Sequence, residues 1–196
     1  MTTIVVIGSV NLDLVATVER LPVPGETVTG AVLTRFPGGK GANQALAARR
    51  LGADVSLLAC VGDDPAADEA LALLRENGVD LSSCRRVNHA ATGTALIAVA
   101  SSGENHIVVA PGANRELACD ALTLPQADAL ICQLEVPIDT IARAAATFSG
   151  FFAVNLAPAM HVDVAILQRA PRPDVVPEAV ASFADQELAY LLPLKI

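Results

Sequence analysis

Pro37-Gly38-Gly39-Lys40-Gly41-Ala42-Asn43-Gln44 decides how the rest of the chain is read. Three glycines in four positions remove the Cβ atoms that hold a ligand away from the main chain, and they permit turns with φ > 0. The run behind them places Leu46, Ala47, Arg50 and Leu51 at helical spacing and stops at Gly52, which suits a C′ position. The stretch therefore predicts a loop opening a helix, with free N–H groups and the positive dipole end beside it. A Walker loop fails here, because Gly41 stands where the Ser or Thr that holds magnesium belongs. A dinucleotide fingerprint fails too, since its third glycine falls on Gln44 and the loop is not the first turn after the N-terminal strand. By itself the loop fits a helix-capping turn as well as it fits a ligand site.

Upstream, Thr3-Ile4-Val5-Val6-Ile7-Gly8 is a continuous apolar run that predicts a strand buried on both faces of a parallel sheet. In extended chain Asn11 and Asp13 point the same way, so an amide and a carboxylate emerge together just past that strand's carboxyl end. Ligands of open α/β sheets sit there, although these two residues alone read equally well as a solvated turn. Leu21-Pro22-Val23-Pro24-Gly25-Glu26 signals a turn, and Thr27 to Thr34 predicts a short strand of a hairpin outside the main sheet. Thr94 to Ala100 and Asn105 to Ala110 flank Ser101-Ser102-Gly103-Glu104 as a second hairpin. These four strands fit a small sheet that covers a site or pairs with another subunit.

Elsewhere strand alternates with helix. Val55 to Cys60 predicts a buried strand, and Asp63 or Asp64 caps a helix that carries Pro65 early and Gly78 just past its end. Ala129 to Leu134 predicts a strand with Glu135 at its carboxyl end, Pro137 starts a helix to about Phe148, and Phe151 to Asn155 predicts the next strand. Strands near residues 4, 55, 129 and 151, separated by helices, define an α/β body with a doubly wound, largely parallel sheet. Its rim gathers Asn11, Asp13, Glu135 and Asn155, with the Gly39 loop beside them. Several hydroxyl-binding groups on one rim favour a polyol site over isolated caps.

A chain of 196 residues suits one domain, or one domain with a small appendage. Its 21 acidic and 13 basic residues give a net charge of −8, which argues against nucleic acid or an anionic membrane as partner. Cys60, Cys84, Cys119 and Cys132 are scattered and no histidine sits at metal-ligand spacing, so a reduced, cytoplasmic protein is expected. No basic region precedes the first apolar run, and no apolar stretch approaches the roughly 20 residues of a spanning helix. His89, His106 and His161 have no partner pattern and read as surface or lid residues. After Pro158 the pattern weakens: His161 to Gln168 fits helix or strand, Pro171, Pro173 and Pro177 break the chain, and Pro177 to Leu192 has mixed periodicity. The expected division is residues 1–158, with the site and lid, and 159–196, a divergent tail.

Gly8-Ser9-Val10-Asn11-Leu12-Asp13, Pro24-Gly25-Glu26-Thr27, Gly38 through Gln44, Gly62-Asp63-Asp64, Thr92-Gly93-Thr94-Ala95, Gly103-Glu104-Asn105, Gly112-Ala113-Asn114 and Gln133-Leu134-Glu135 follow one another along the chain. In the type and order of these segments, over about residues 3 to 158, the chain resembles the ribokinase-like carbohydrate kinase family. The resemblance implies a Rossmann-like α/β domain, incomplete here, with a β-sheet lid at about residues 14–34 and 94–110. It implies transfer of the γ-phosphoryl group of ATP, with magnesium, to a hydroxyl of a pentose such as ribose. By residue match it implies Asn11 and Asp13 as ligands of sugar hydroxyls, and Gly38, Gly39, Lys40, Gly41 and Asn43 along the sugar's other side. Glu135 would accept a further hydroxyl, and the lid would build a homodimer.

The family's second half, with the nucleotide pocket and a Gly-Ala-Gly-Asp motif whose aspartate is the base, has no counterpart in this sequence. Leu156 stands where the family tends to have proline, and from about Met160 the chain no longer follows the pattern. Losing a general base costs roughly 10²–10⁴-fold. Losing the positioning of ATP removes a further contribution of about 7–11 kcal/mol. The expectation is therefore a truncated sugar kinase with impaired turnover. A non-catalytic sugar-binding or regulatory module, and a degraded gene product with exposed sheet edge and apolar faces, are the other two readings.

Overall fold

Val5 and Ile7 face one side of the first strand and Val6 the other, and all three are buried, so this strand runs through the middle of a two-sided core. The computed structural model describes residues 1–118, 123–158, 161–162 and 164–169. In it β5 (Cys84–Val87), β4 (Asp54–Gly62), β1 (Thr3–Ile7), β8 (Ala129–Gln133) and β9 (Phe151–Asn155) lie side by side in that order, each neighbouring pair parallel. On one face α1 (Lys40–Arg50), α2 (Pro65–Ala70) and α3 (Ala72–Glu76) press Ala45, Ala48, Ala70 and Leu74 towards Val6 and Leu57. On the other, α4 (Ile138–Thr147) and α5 (Val164–Arg169) bring Ile141, Ala144 and Ile166 to Val5, Ile7, Leu130 and Phe152. This is the expected doubly wound α/β body.

A second sheet holds β3 (Val32–Gly38), β2 (Asn11–Val18), β6 (Gly93–Ala100) and β7 (Asn105–Ala110) in that order, with β2 and β6 parallel and the outer pairs antiparallel. Its root is tied to the body by Asp64, which caps α2 through the Ala67 N–H at 2.9 Å. The same carboxylate accepts the Thr92 N–H at 2.8 Å and its Oγ1 hydroxyl at 2.7 Å, where β6 begins. A helix cap thus doubles as the anchor of a lid strand.

Several local expectations are corrected. The alternative of a solvated turn at Asn11 and Asp13 falls, since both stand in extended chain inside β2, a strand of the second sheet. The strand expected over Thr27 to Thr34 sits at Val32–Gly38, because Gly30 has φ 84 and β3 must run in register from Thr17↔Val32 to Asn11↔Gly38. Pro37 and Gly38 are therefore strand residues, and the loop shrinks to Gly39, the N-cap of α1 at φ 92. The single helix expected up to Gly78 is broken at Leu71 into α2 and α3. Of the helix or strand allowed over His161 to Gln168, the helix forms as Val164–Arg169. The short edge strand β5 went unforeseen, since Arg85 and Arg86 are exposed and leave no apolar run to read. Cys119 and the stretch Pro177 to Leu192 lie outside the described residues.

Candidate functional site

The carboxyl ends of β1 and β8 meet the start of α1, and side chains from both sheets converge there. Glu135 follows β8, and its Oε2 accepts the Ser9 hydroxyl at 2.5 Å and the Lys40 backbone N–H at 3.1 Å. Gln133 holds the Glu135 backbone, accepting its N–H at 3.1 Å while donating to the Ile7 carbonyl at 3.0 Å. The Lys40 ammonium lies 4.0 Å from Glu135 Oε1. Asn43, exposed and three residues beyond Lys40, lies on the same face of α1.

The free N–H groups expected at the helix start are engaged within the protein. Glu135 takes that of Lys40, Ser9 Oγ takes that of Gly41 at 3.4 Å, and the Ser9 carbonyl takes that of Ala42 at 2.9 Å. A carboxylate thus already occupies the positive end of the helix dipole. The space left by the glycines is likewise filled by the chain itself. A Cβ on Gly38 would lie 2.2 Å from Asp13 Oδ2, one on Gly39 2.8 Å from Asn11 N, and one on Gly41 2.5 Å from the Gly8 carbonyl carbon.

Asp13 is the electrostatically unusual member. Burial, and next the charge of Glu135, raise its carboxyl from 3.8 to about 6. Its Oδ1 is buried and has no hydrogen-bond partner among the described residues. A buried acceptor left open is a place for a hydroxyl donor from outside. Asn11, two residues earlier on the same face of β2, has its Oδ1 engaged by Asn114 Nδ2 at 2.8 Å. Asn155 belongs less directly to this group, because its Oδ1 closes the turn after β9 by accepting the Ala157 N–H at 3.0 Å.

Asn11, Asp13, Gly38, Gly39, Lys40, Gly41, Asn43 and Glu135 therefore share one rim. Ser9, Asn114 and Gln133 join them as the buried groups behind it. Ser9 and Asn114 stand within the family-like segments of the sequence, but hydroxyl and amide side chains carry no periodicity that marks them as buried partners. Among the described residues no group of three His, Cys, Asp or Glu is arranged to hold a metal ion. Nor is any helix there long and apolar enough to cross a membrane.

An α/β body with a four-stranded second sheet matches known proteins. The family described as pfkB family carbohydrate kinase matches residues 1–177, and the chain belongs to that family. The match reaches past residue 160, where the motif order stops being visible. The ribokinase of Bacillus subtilis is 44% identical over 146 residues, covering 72% of this chain and 50% of the relative. That of Haemophilus influenzae is 40% identical over 148 residues, covering 73% of this chain and 48% of the relative. The chain thus spans about half the length of these curated relatives. The crystal structure of ribokinase from Thermotoga maritima superposes with a TM-score of 0.80 at 34% identity, covering 87% of this chain and 58% of that one.

Proposed function

We propose that this chain is the sugar-binding and lid part of a ribokinase-type kinase, residues 1–158, which grips a pentose such as ribose for phosphorylation by ATP. The observation that carries the reading is the buried Asp13 Oδ1, without a partner among the described residues, on a rim with Asn11 and with Glu135, which Lys40 faces. Carboxylates accept hydroxyl protons, while an amide and an ammonium donate to hydroxyl oxygens, so the set is complementary to a polyol. A sugar lacking a matched hydroxyl leaves a buried group unpaired and is rejected.

The same groups suit ATP poorly. The Lys40 ammonium faces Glu135, Asp13 adds a second acidic group to the rim, the first N–H groups of α1 are engaged, and a triphosphate would meet repulsion. The proposal therefore places nucleotide and magnesium contacts on other residues and derives no step through them. No Gly-Ala-Gly-Asp segment occurs in the 196 residues.

The lid supplies the second half of the reading. On the Asp13 side of the second sheet Val32, Phe36, Ile107 and Val109 are 67, 49, 54 and 47% exposed. We assign this stripe to a second copy of the chain, which would shield the rim from water.

Calorimetry with ribose and no nucleotide tests the proposal. Saturable heat that vanishes in Asp13→Ala is expected, and no heat at millimolar ribose from the folded chain would overturn it. A coupled ATP-consumption assay on the same protein separates a kinase from a sugar-binding module.

A further inference from the structure

We infer that Asn114 is a positioning residue: it fixes the side-chain amide of Asn11 so that the NH₂ end, and not the carbonyl, is presented to the sugar. The inference rests on the sugar-binding reading above and adds to it the hydrogen-bond sense of one contact.

The orientation follows from a donor whose identity is beyond dispute. The Val10 backbone N–H can only donate, and it reaches Asn114 at 2.9 Å, so the Asn114 atom that receives it is the carbonyl oxygen. The other end of that amide is then NH₂. It donates to the Val10 carbonyl at 3.2 Å and to the side chain of Asn11 at 2.8 Å. The Asn11 atom that accepts must in turn be Oδ1, and its own NH₂ is left without a hydrogen bond among the described residues. Three bonds from a side chain 1% exposed thus propagate the sense of one backbone group to the rim.

The position of the pair explains why it holds. Asn11 opens β2, Gly93 opens β6, and Asn114 lies in the 3₁₀ turn Gly112–Glu116 that follows β7. A Cβ on Gly93 would stand 2.2 Å from both Asn11 Oδ1 and Asn114 Nδ2, so the glycine makes room for the amide pair. Sugar hydroxyls are both donors and acceptors. With Asp13 and Glu135 accepting, a fixed donor at Asn11 selects a hydroxyl oxygen and gives the rim a directional pattern.

The test uses the full chain, ribose and its 2-, 3- and 5-deoxy analogues in calorimetry. Asn11→Ala identifies the hydroxyl whose deletion no longer matters. Asn114→Asp keeps an acceptor for the Val10 N–H but removes the donor to Asn11. It is expected to abolish discrimination at that same hydroxyl, roughly tenfold, while the other hydroxyls keep theirs. A uniform loss across all four sugars would show a merely structural role and overturn the inference. Should the variant fail to fold, ¹⁵N spectra of the wild type decide. The Asn11 NH₂ resonance is expected to move on ribose saturation, and a stationary resonance overturns the inference. Absence of ribose binding in the wild type would instead defeat the underlying functional reading.

Discussion

The Ser9 hydroxyl donates to Glu135 Oε2 across 2.5 Å, joining the residue after Gly8 at the end of β1 to the residue after Leu134 at the end of β8. The same oxygen takes the Lys40 N–H, so one carboxylate atom fastens both sheet strands to the start of α1. Glu135 is thereby held with Oε1 turned towards Lys40. Removing the hydroxyl in Ser9→Ala strips one hydrogen bond from a charged group, worth about 1.5–3 kcal/mol. The expected result is a fall in ribose affinity of roughly ten- to a hundredfold with the fold retained, read by calorimetry and far-ultraviolet circular dichroism. Unchanged affinity would show that Glu135 needs no support from β1.

On the sugar-binding proposal, Asp13 should make ribose affinity depend on pH. Its carboxyl titrates near 6 in the folded chain against 3.8 when exposed. Its contribution to stability is therefore complete below 3.8 and is lost as pH rises through about 6. Because solvent reaches the group, the difference is discounted to on the order of 1 kcal/mol. Thermal melts of wild type and Asp13→Asn should diverge by about 2–4 °C between pH 4 and pH 7, the variant becoming relatively more stable at the higher pH. Ribose affinity should move the opposite way, strengthening above about pH 6 as the carboxylate becomes available to accept a hydroxyl. Parallel melts would contradict the titration.

Gly41→Ala should destabilise the protein whether or not sugar is present. The added carbon would lie 2.5 Å from the Gly8 carbonyl carbon and 2.6 Å from its Cα, and neither backbone can retreat without moving α1 or β1. Overpacking of this kind costs about 1–3 kcal/mol. A melting temperature lowered by several degrees is expected, and an unchanged one would refute the close approach.

The apolar stripe on the lid predicts self-association. Phe36→Glu combined with Ile107→Glu puts charge on residues that are 49 and 54% exposed, so the isolated chain should tolerate both. Sedimentation velocity should find a dimer for wild type and a monomer for the pair of substitutions. Identical sedimentation would remove the second copy from the proposal.

The two-sided core was legible because Thr3-Ile4-Val5-Val6-Ile7 and Ala129-Leu130-Ile131-Cys132 are uninterrupted apolar runs, and burial on both faces demands such runs. The lid was legible as four strands but misplaced by several residues around Thr27 to Thr34, where register with β2, and not local propensity, sets the boundary. The candidate rim residues were found through carboxylates and amides at strand ends and through family-like segments. What escaped was the layer behind them. Ser9, Gln133 and Asn114 act through hydrogen bonds spanning 126, 126 and 104 positions of sequence, and no local spacing encodes such a pairing.

The cramped seam between Gly8 and Gly41 changes what the glycine-rich signature can be used for. Its small residues answer first to the tight joining of a strand end and a helix start, so a chain with no use for carbohydrate would still be obliged to keep them. Searching genomes with this signature alone will gather architectural kin. On the sugar-binding proposal, the added mark to look for is a counterpart to Asp13, whose Oδ1 takes no part in that joint.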